Sequence, residues 1–185
     1  MMLTQEQIDN WHFGPKLLGI AGKAGSGKTT AADHLVSLGW TRVKLAGPLK
    51  DMLRAIGLTD RHIEGDLKEV PCDLLCGQTP RHAMLTLGTE WGRDIIGSTF
   101  WTGIAAGRIR AALAAGQNVV VDDVRFDNEA DVIRDLGGTV LKIERGVGVA
   151  VDHVSERGVT PDVTCQNEGS LEELQGFMEY VFHQA

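Results

Sequence analysis

Residues 17–30 read LLGIAGKAGSGKTT, and the class of fold follows from them. Leu17 to Ala21 is a short apolar run with the length of one buried strand. Gly22-Lys23-Ala24-Gly25-Ser26-Gly27-Lys28-Thr29 then fits the spacing G-x-x-x-x-G-K-[ST]. Past it, Thr29 to Leu38 places Ala31, Ala32, Leu35, Val36 and Leu38 at helical spacing, and Gly39 stops the run. A strand, a glycine-rich loop and a helix in that order aim backbone N–H groups and a helix N-terminus at one point. Phosphate is what such a point holds. The expected nucleotide contacts are therefore Gly22, Ala24, Gly25, Ser26, Gly27, Lys28, Thr29 and Thr30. Gly25 and Gly27 leave room for the backbone to curl round phosphates. Lys28 is expected to reach the β- and γ-phosphates of ATP and the Thr29 hydroxyl to ligate Mg²⁺.

Working outward, Trp40 to Leu45 alternates as a second strand, and Gly47-Pro48 opens a helix carrying Leu49, Met52, Leu53 and Ile56. Residues 57–78 are the least regular part. Thr79-Pro80 reads as an N-cap with proline in the first turn, and helical pattern runs through Leu87 and again from Thr99 to Ala115. Asn118 to Asp123 is a β-branched strand ending in two carboxylates. Asp127 to Leu136 is helical up to Gly137-Gly138, Thr139 to Ile143 is a strand, 144–162 a loop, and Val163 to Gln166 a last strand. Ser170-Leu171-Glu172-Glu173 has capping-box spacing and starts the final helix. Strands alternating with helices predict an α/β fold of the P-loop type. It has three layers, with a parallel sheet of about five strands and helices on both faces.

The chain of 185 residues fits one domain, with no internal repeat or linker. Its charge of −7 argues against nucleic-acid polymers and membrane surfaces as partners, while leaving room for a local basic pocket. No apolar run is long enough to span a bilayer and the first residues lack signal-peptide character, so a soluble cytoplasmic protein is expected. Cys72, Cys76 and Cys165 make neither a disulfide framework nor a zinc site.

The motif alone does not choose among nucleotide chemistries. No N-K-x-D occurs, which removes a guanine-specific switch, and Asp135-Leu136-Gly137-Gly138 reads better as a helix end than as D-x-x-G. A motor would need a basic track. A compact kinase remains, and it needs cations for a second anionic substrate. Lys50, Arg81, Arg93, Arg125 and Arg134 are the candidates, with Trp91, Phe100 and Trp101 as flat rings for a base. Asp122 or Asp123 is expected to supply the carboxylate beside Mg²⁺.

These residues resemble the bacteriophage deoxynucleoside monophosphate kinases of the P-loop nucleoside-monophosphate-kinase-like group. The resemblance runs through AGKAGSGKTTAAD (21–33), KLAGPLKD (44–51), LGTEWGRD and FW within 79–101, VVVDDVRFDNEA (119–130), GGTV (137–140), IER (143–145), DHVSE (152–156) and NEGSLEEL (167–174). It implies transfer of the ATP γ-phosphate to a dNMP, giving dNDP and ADP, in the cytoplasm of the host if phage-encoded. It places Arg81 and Thr89 in the monophosphate pocket and makes Trp101 a base contact; Lys50 and Arg93 stand beside them as further substrate-binding candidates. Its D-x-R falls on Asp123 and Arg125. That selects Asp123 over Asp122 for the metal and sets Arg125 as a catalytic clamp; Arg145 joins the ATP contacts. Relatives often have Asp where this chain has Thr29. Within the single domain, residues 1–15 read as an N-terminal extension, 57–100 as a substrate-binding insertion and 125–160 as a lid. Base choice, ribose selectivity and oligomeric state, a homodimer included, stay open. Two other readings are kept. One is a P-loop kinase for another small acceptor, of dephospho-CoA-kinase type; the other is a nucleotide-binding protein without turnover. Acceptor-dependent ADP release separates the three.

Overall fold

The computed structural model describes residues 16–146 and 159–182. The expected N-terminal extension, the DHVSE stretch and part of the expected lid lie outside these residues. Five strands form one parallel sheet: β1 (Leu17–Ala21), β2 (Thr41–Arg42), β3 (Val119–Val124), β4 (Thr139–Glu144) and β5 (Val163–Gln166), in the order β2-β3-β1-β4-β5. The α/β expectation is met. β1 lies in the middle of that order, and all five of its residues are buried. A strand enclosed on both faces must be continuously apolar, as this one is.

Side chains alternate across a strand, and the two faces of β1 meet different helices. Leu18 and Ile20 pack with Val120, Leu141 and Ile143 against Ala31 and Leu35 of α1 (Lys28–Ser37) and Met178 of α7 (Leu171–Phe182). His34 of α1 also meets Glu179 of α7 at 2.8 Å. On the opposite face, a side chain at Gly19 would strike Ile133 of α6 (Asp127–Asp135). The second strand is shorter than its alternating sequence suggests. As an edge strand it has only β3 to bond, and the ladder ends when Val43 N donates to Val120 O at 2.9 Å.

The described residues fall into two compact units. The first holds the sheet and comprises the chain up to Lys44 and from Ala106 onward. The second, Leu45–Ala105, is helical: α2 (Gly47–Ala55), the single turn α3 (Asp60–Ile63), a 3₁₀ turn (Asp73–Leu75), α4 (Pro80–Thr86) and the start of α5 (Phe100–Ala114). Thr79 caps α4 as expected, its hydroxyl accepting from His82 N at 3.1 Å. Leu49, Leu53, Leu58, Ile63 and Trp101 form this unit's core. The irregular 57–78 stretch is thus anchored by Leu58 and Ile63. Beyond α4 the helix does not stop at Leu87 but widens into a π-helical segment, Leu87–Ile96, closed by Gly97 N donating to Gly92 O at 3.1 Å.

Among the described residues no helix is long and apolar enough to cross a membrane. Cys72, Cys76 and Cys165 are free thiols. Burial pushes the Cys165 thiol up from its ordinary range, which disfavours its thiolate.

Candidate active site

Because β1 ends at Ala21 and α1 starts at Lys28, the six residues between them are the whole connection. Gly22, Gly25 and Gly27 have φ of +142°, +78° and +104°, which side-chain-bearing residues rarely adopt. Gly22 has a second constraint: a Cβ there would lie 2.3 Å from the Ile143 carbonyl oxygen. The Lys28 ammonium donates to Gly22 O and Lys23 O, both at 2.6 Å, and so folds back over the start of the loop. Helix α1 has no acid in its first turn, leaving its N-terminal partial charge unopposed from within. Thr29 and Thr30 are exposed on that turn, as is Ala24 in the loop, whereas Ser26 is buried with its hydroxyl unpartnered among the described residues. Backbone donors, an ammonium and a helix N-terminus converge here, as polyphosphate binding requires.

Other candidates gather at the same carboxyl edge of the sheet. Gly19 pairs with Val121 and Ala21 with Val124, so β3 carries one extra residue in that interval, a bulge at Asp122 and Asp123. The two carboxylates differ. Asp122 is buried, its Oδ2 lies 3.6 Å from Arg42 Nε, and its Oδ1 has no hydrogen-bond partner among the described residues. Arg42 also donates to Asp33 of α1 at 2.7 Å, tying β2 to the phosphate-loop helix. Asp123 is half-buried and so more accessible. Arg125 is exposed, and its backbone N–H donates to the buried Glu129 Oε2 at 2.8 Å. Phe126 N donates to the same oxygen at 3.2 Å, so one carboxylate caps α6 and fixes the turn bearing Arg125. Arg145 is exposed just past β4. Its neighbour Glu144 is held below the usual carboxylate range by the ammonium of Lys142 and the amide of Gln166.

The second unit carries the other candidates. Lys50 on α2 pairs with Glu64 at 2.5 Å. Arg81, in the first turn of α4, is half exposed and donates through Nε to Glu69. Thr89 is exposed and Arg93 half-buried, one turn apart on the π-helical segment. Trp101 corrects an expectation. Its ring is only 6% exposed, sits in the unit's core, and donates from Nε1 to Gly88 O at 2.8 Å. Gly92 makes room for it, since a Cβ there would lie 2.2 Å from that nitrogen. A ring so enclosed has no face for a base. Trp91 and Phe100, packed edge to face at 5.4 Å and both half-buried, are the accessible rings of the cluster.

The oxygen set of Thr29, Asp122 and Asp123 suits a hard cation such as Mg²⁺, which keeps several waters and phosphate ligands and needs no all-protein cage. Among the described residues no group of three or more His, Cys, Asp or Glu is arranged to hold a metal. Two residues at this edge escaped the sequence reading. Arg42 lay in a strand of unremarkable pattern. Asn167 lies within NEGSLEEL without a visible task, yet its side chain is bonded to the phosphate loop.

The family model for deoxynucleotide monophosphate kinase matches residues 77–177. A protein of Acanthamoeba polyphaga mimivirus, named "Putative deoxynucleotide monophosphate kinase", is 36% identical over 177 residues, 85% of this chain and 91% of that protein. Among solved structures, the crystal structure of TT1252 from Thermus thermophilus is similar at 17% identity. It covers 90% of this chain and 96% of that chain, with a TM-score of 0.49. Dephospho-CoA kinase from Campylobacter jejuni is similar at 13% identity over 89% of this chain and 79% of that chain, with a TM-score of 0.33.

Proposed function

The chain belongs to the deoxynucleotide monophosphate kinase family, and on that premise we propose that it transfers the γ-phosphoryl group of ATP to a deoxynucleoside monophosphate, giving the diphosphate and ADP. The observation that carries this reading is the loop between β1 and α1, with three left-handed glycines and Lys28 folded over it.

The acceptor is a phosphate oxygen. With a second pKa of ~6, it is already largely ionised at neutral pH, so no protein base has to remove a proton. What remains is to orient two polyanions and counter their repulsion. The N–H groups of Gly22–Gly27 and the α1 N-terminus hold the donor phosphates. Lys28 leaves the Gly22 and Lys23 carbonyls for a phosphate oxygen, a stronger acceptor because it is charged. Mg²⁺, held by the Thr29 hydroxyl and Asp123, would neutralise charge on the β- and γ-phosphates. Asp122 is already matched by Arg42, so Asp123 is the better metal carboxylate. Arg125, fixed through its backbone by Glu129, and the exposed Arg145 supply further positive charge to the donor. On the acceptor side, Arg81, Arg93, Lys50 and Thr89 bind the monophosphate. Trp91 and Phe100 take the base-contact role that Trp101 is too buried to fill, and Trp101 supports them.

The test is ADP release from ATP and Mg²⁺ with a panel of ribo- and deoxynucleoside monophosphates. Release that depends on at least one deoxynucleoside monophosphate is expected. Release that no nucleotide stimulates would refute the reading.

A further inference from the structure

Asn167 follows β5 directly and is 7% exposed. Its backbone N donates to Glu144 O at 2.7 Å, which prolongs the β4–β5 ladder and fixes where its side chain starts. From there its Nδ2 donates to the Ser26 carbonyl at 2.8 Å, a contact between residues 141 apart in the chain. Gly27 makes the approach possible, because a Cβ on it would lie 2.5 Å from that same nitrogen. Gly27 therefore satisfies two demands at once, its left-handed φ and the space taken by the amide.

A trans peptide is planar, so the Ser26 carbonyl and the Gly27 N–H point in opposite directions. With the carbonyl drawn towards Asn167, the Gly27 N–H is turned away from Asn167. We propose that Asn167 is a positioning residue that keeps the Gly27 N–H directed at the donor phosphates; the proposal rests on the phosphate-loop reading above. Flipping this peptide would present a carbonyl oxygen to the phosphates and leave a buried amide N–H unpaired, and both changes are unfavourable. A carboxamide is required. An aspartate of the same shape can only accept, and it would repel the Ser26 carbonyl.

The test uses the full chain and the variants Asn167→Asp and Asn167→Ala. Calorimetry gives the affinities for ATP and for inorganic triphosphate, and kinetics gives KM for ATP and for the acceptor. Both affinities should fall by the same factor, roughly tenfold or more, as expected for a lost buried hydrogen bond. KM for the acceptor should stay within about twofold while KM for ATP rises, a split that general loosening would not produce. In the unmutated chain the Gly27 amide resonance should move downfield when triphosphate is added. An unmoved Gly27 amide would overturn the proposal, and so would folded Asn167→Asp with undiminished triphosphate affinity. Loss of ATP affinity with triphosphate affinity retained would also overturn it, by placing Asn167 at the base. If the unmutated chain bound neither ATP nor triphosphate, the phosphate-loop reading itself would fall.

Discussion

At Lys28 one ammonium is held by two carbonyls 2.6 Å away, so the proposed contact with a phosphate would exchange neutral acceptors for a charged one. Lys28→Ala should lower kcat by about 10²–10³, the cost of removing one preorganised donor from developing charge. Single-turnover kinetics checks this. Lys28→Arg should not restore the rate, since a planar fork cannot replace a compact point charge at this loop. The two β3 carboxylates should separate in the same way. Asp123→Asn should lower kcat and raise the Mg²⁺ concentration needed for half-maximal rate, with little change in melting temperature. Asp122→Asn should chiefly destabilise, by about 1 kcal/mol in denaturant titration, because it removes one of the two carboxylates facing Arg42 and leaves Asp33 in place. A shared Mg²⁺ dependence in both variants would contradict the assignment. The loop residues were legible in the sequence because their chemistry is local, eight residues obeying one spacing. Arg42 and Asn167 were not, because their partners are brought to them by strand pairing and chain closure.

At the scale of elements, periodicity located every strand of the sheet, and it failed where tertiary contacts set the boundaries. The β2 ladder is cut short by its edge position. The helix after Thr79 continues past Leu87 because Gly92 lets the Trp101 indole pack onto its backbone and bond the Gly88 carbonyl. Of the two glycines in LGTEWGRD, Gly92 makes room for a ring. The same packing buries Trp101. Helix α6 shows how an element fixes the turn that bears a candidate site residue, Arg125. Glu129 is buried and accepts from the N–H groups of both Arg125 and Phe126. Glu129→Ala should cost about 2 kcal/mol, or a melting temperature lower by about 4–8 °C in a chain of this size. It should also lower kcat below that of the unmutated enzyme at a temperature where both are folded. An unchanged kcat would separate the cap from the positioning of Arg125.

Across the whole molecule, the charge of −7 is the background against which the candidate cations Lys50, Arg81, Arg93 and Arg125 stand. Carboxylates balance Lys50 through Glu64 and Arg81 through Glu69, as Asp33 and Asp122 balance Arg42. One contribution to the response to acid comes from Glu144, held below the ordinary carboxylate range by Lys142 and Gln166. A depressed carboxyl contributes stability above its unfolded pKa of about 4.3 and loses that contribution as pH falls through the folded value. Glu144→Gln should therefore be less stable than the unmutated chain at neutral pH, by less than about 1 kcal/mol for so exposed a pair. The gap should close on acidification, as denaturant melts at several pH values would show. A gap that widened in acid would contradict the assignment. ATP labelled in its γ-phosphate should be incubated with the chain, Mg²⁺ and each deoxynucleoside monophosphate in turn, and the products separated. Label in a deoxynucleoside diphosphate, formed at least about 10²-fold more slowly with Lys28→Ala, is the predicted result; label only in unreacted ATP or inorganic phosphate would contradict it.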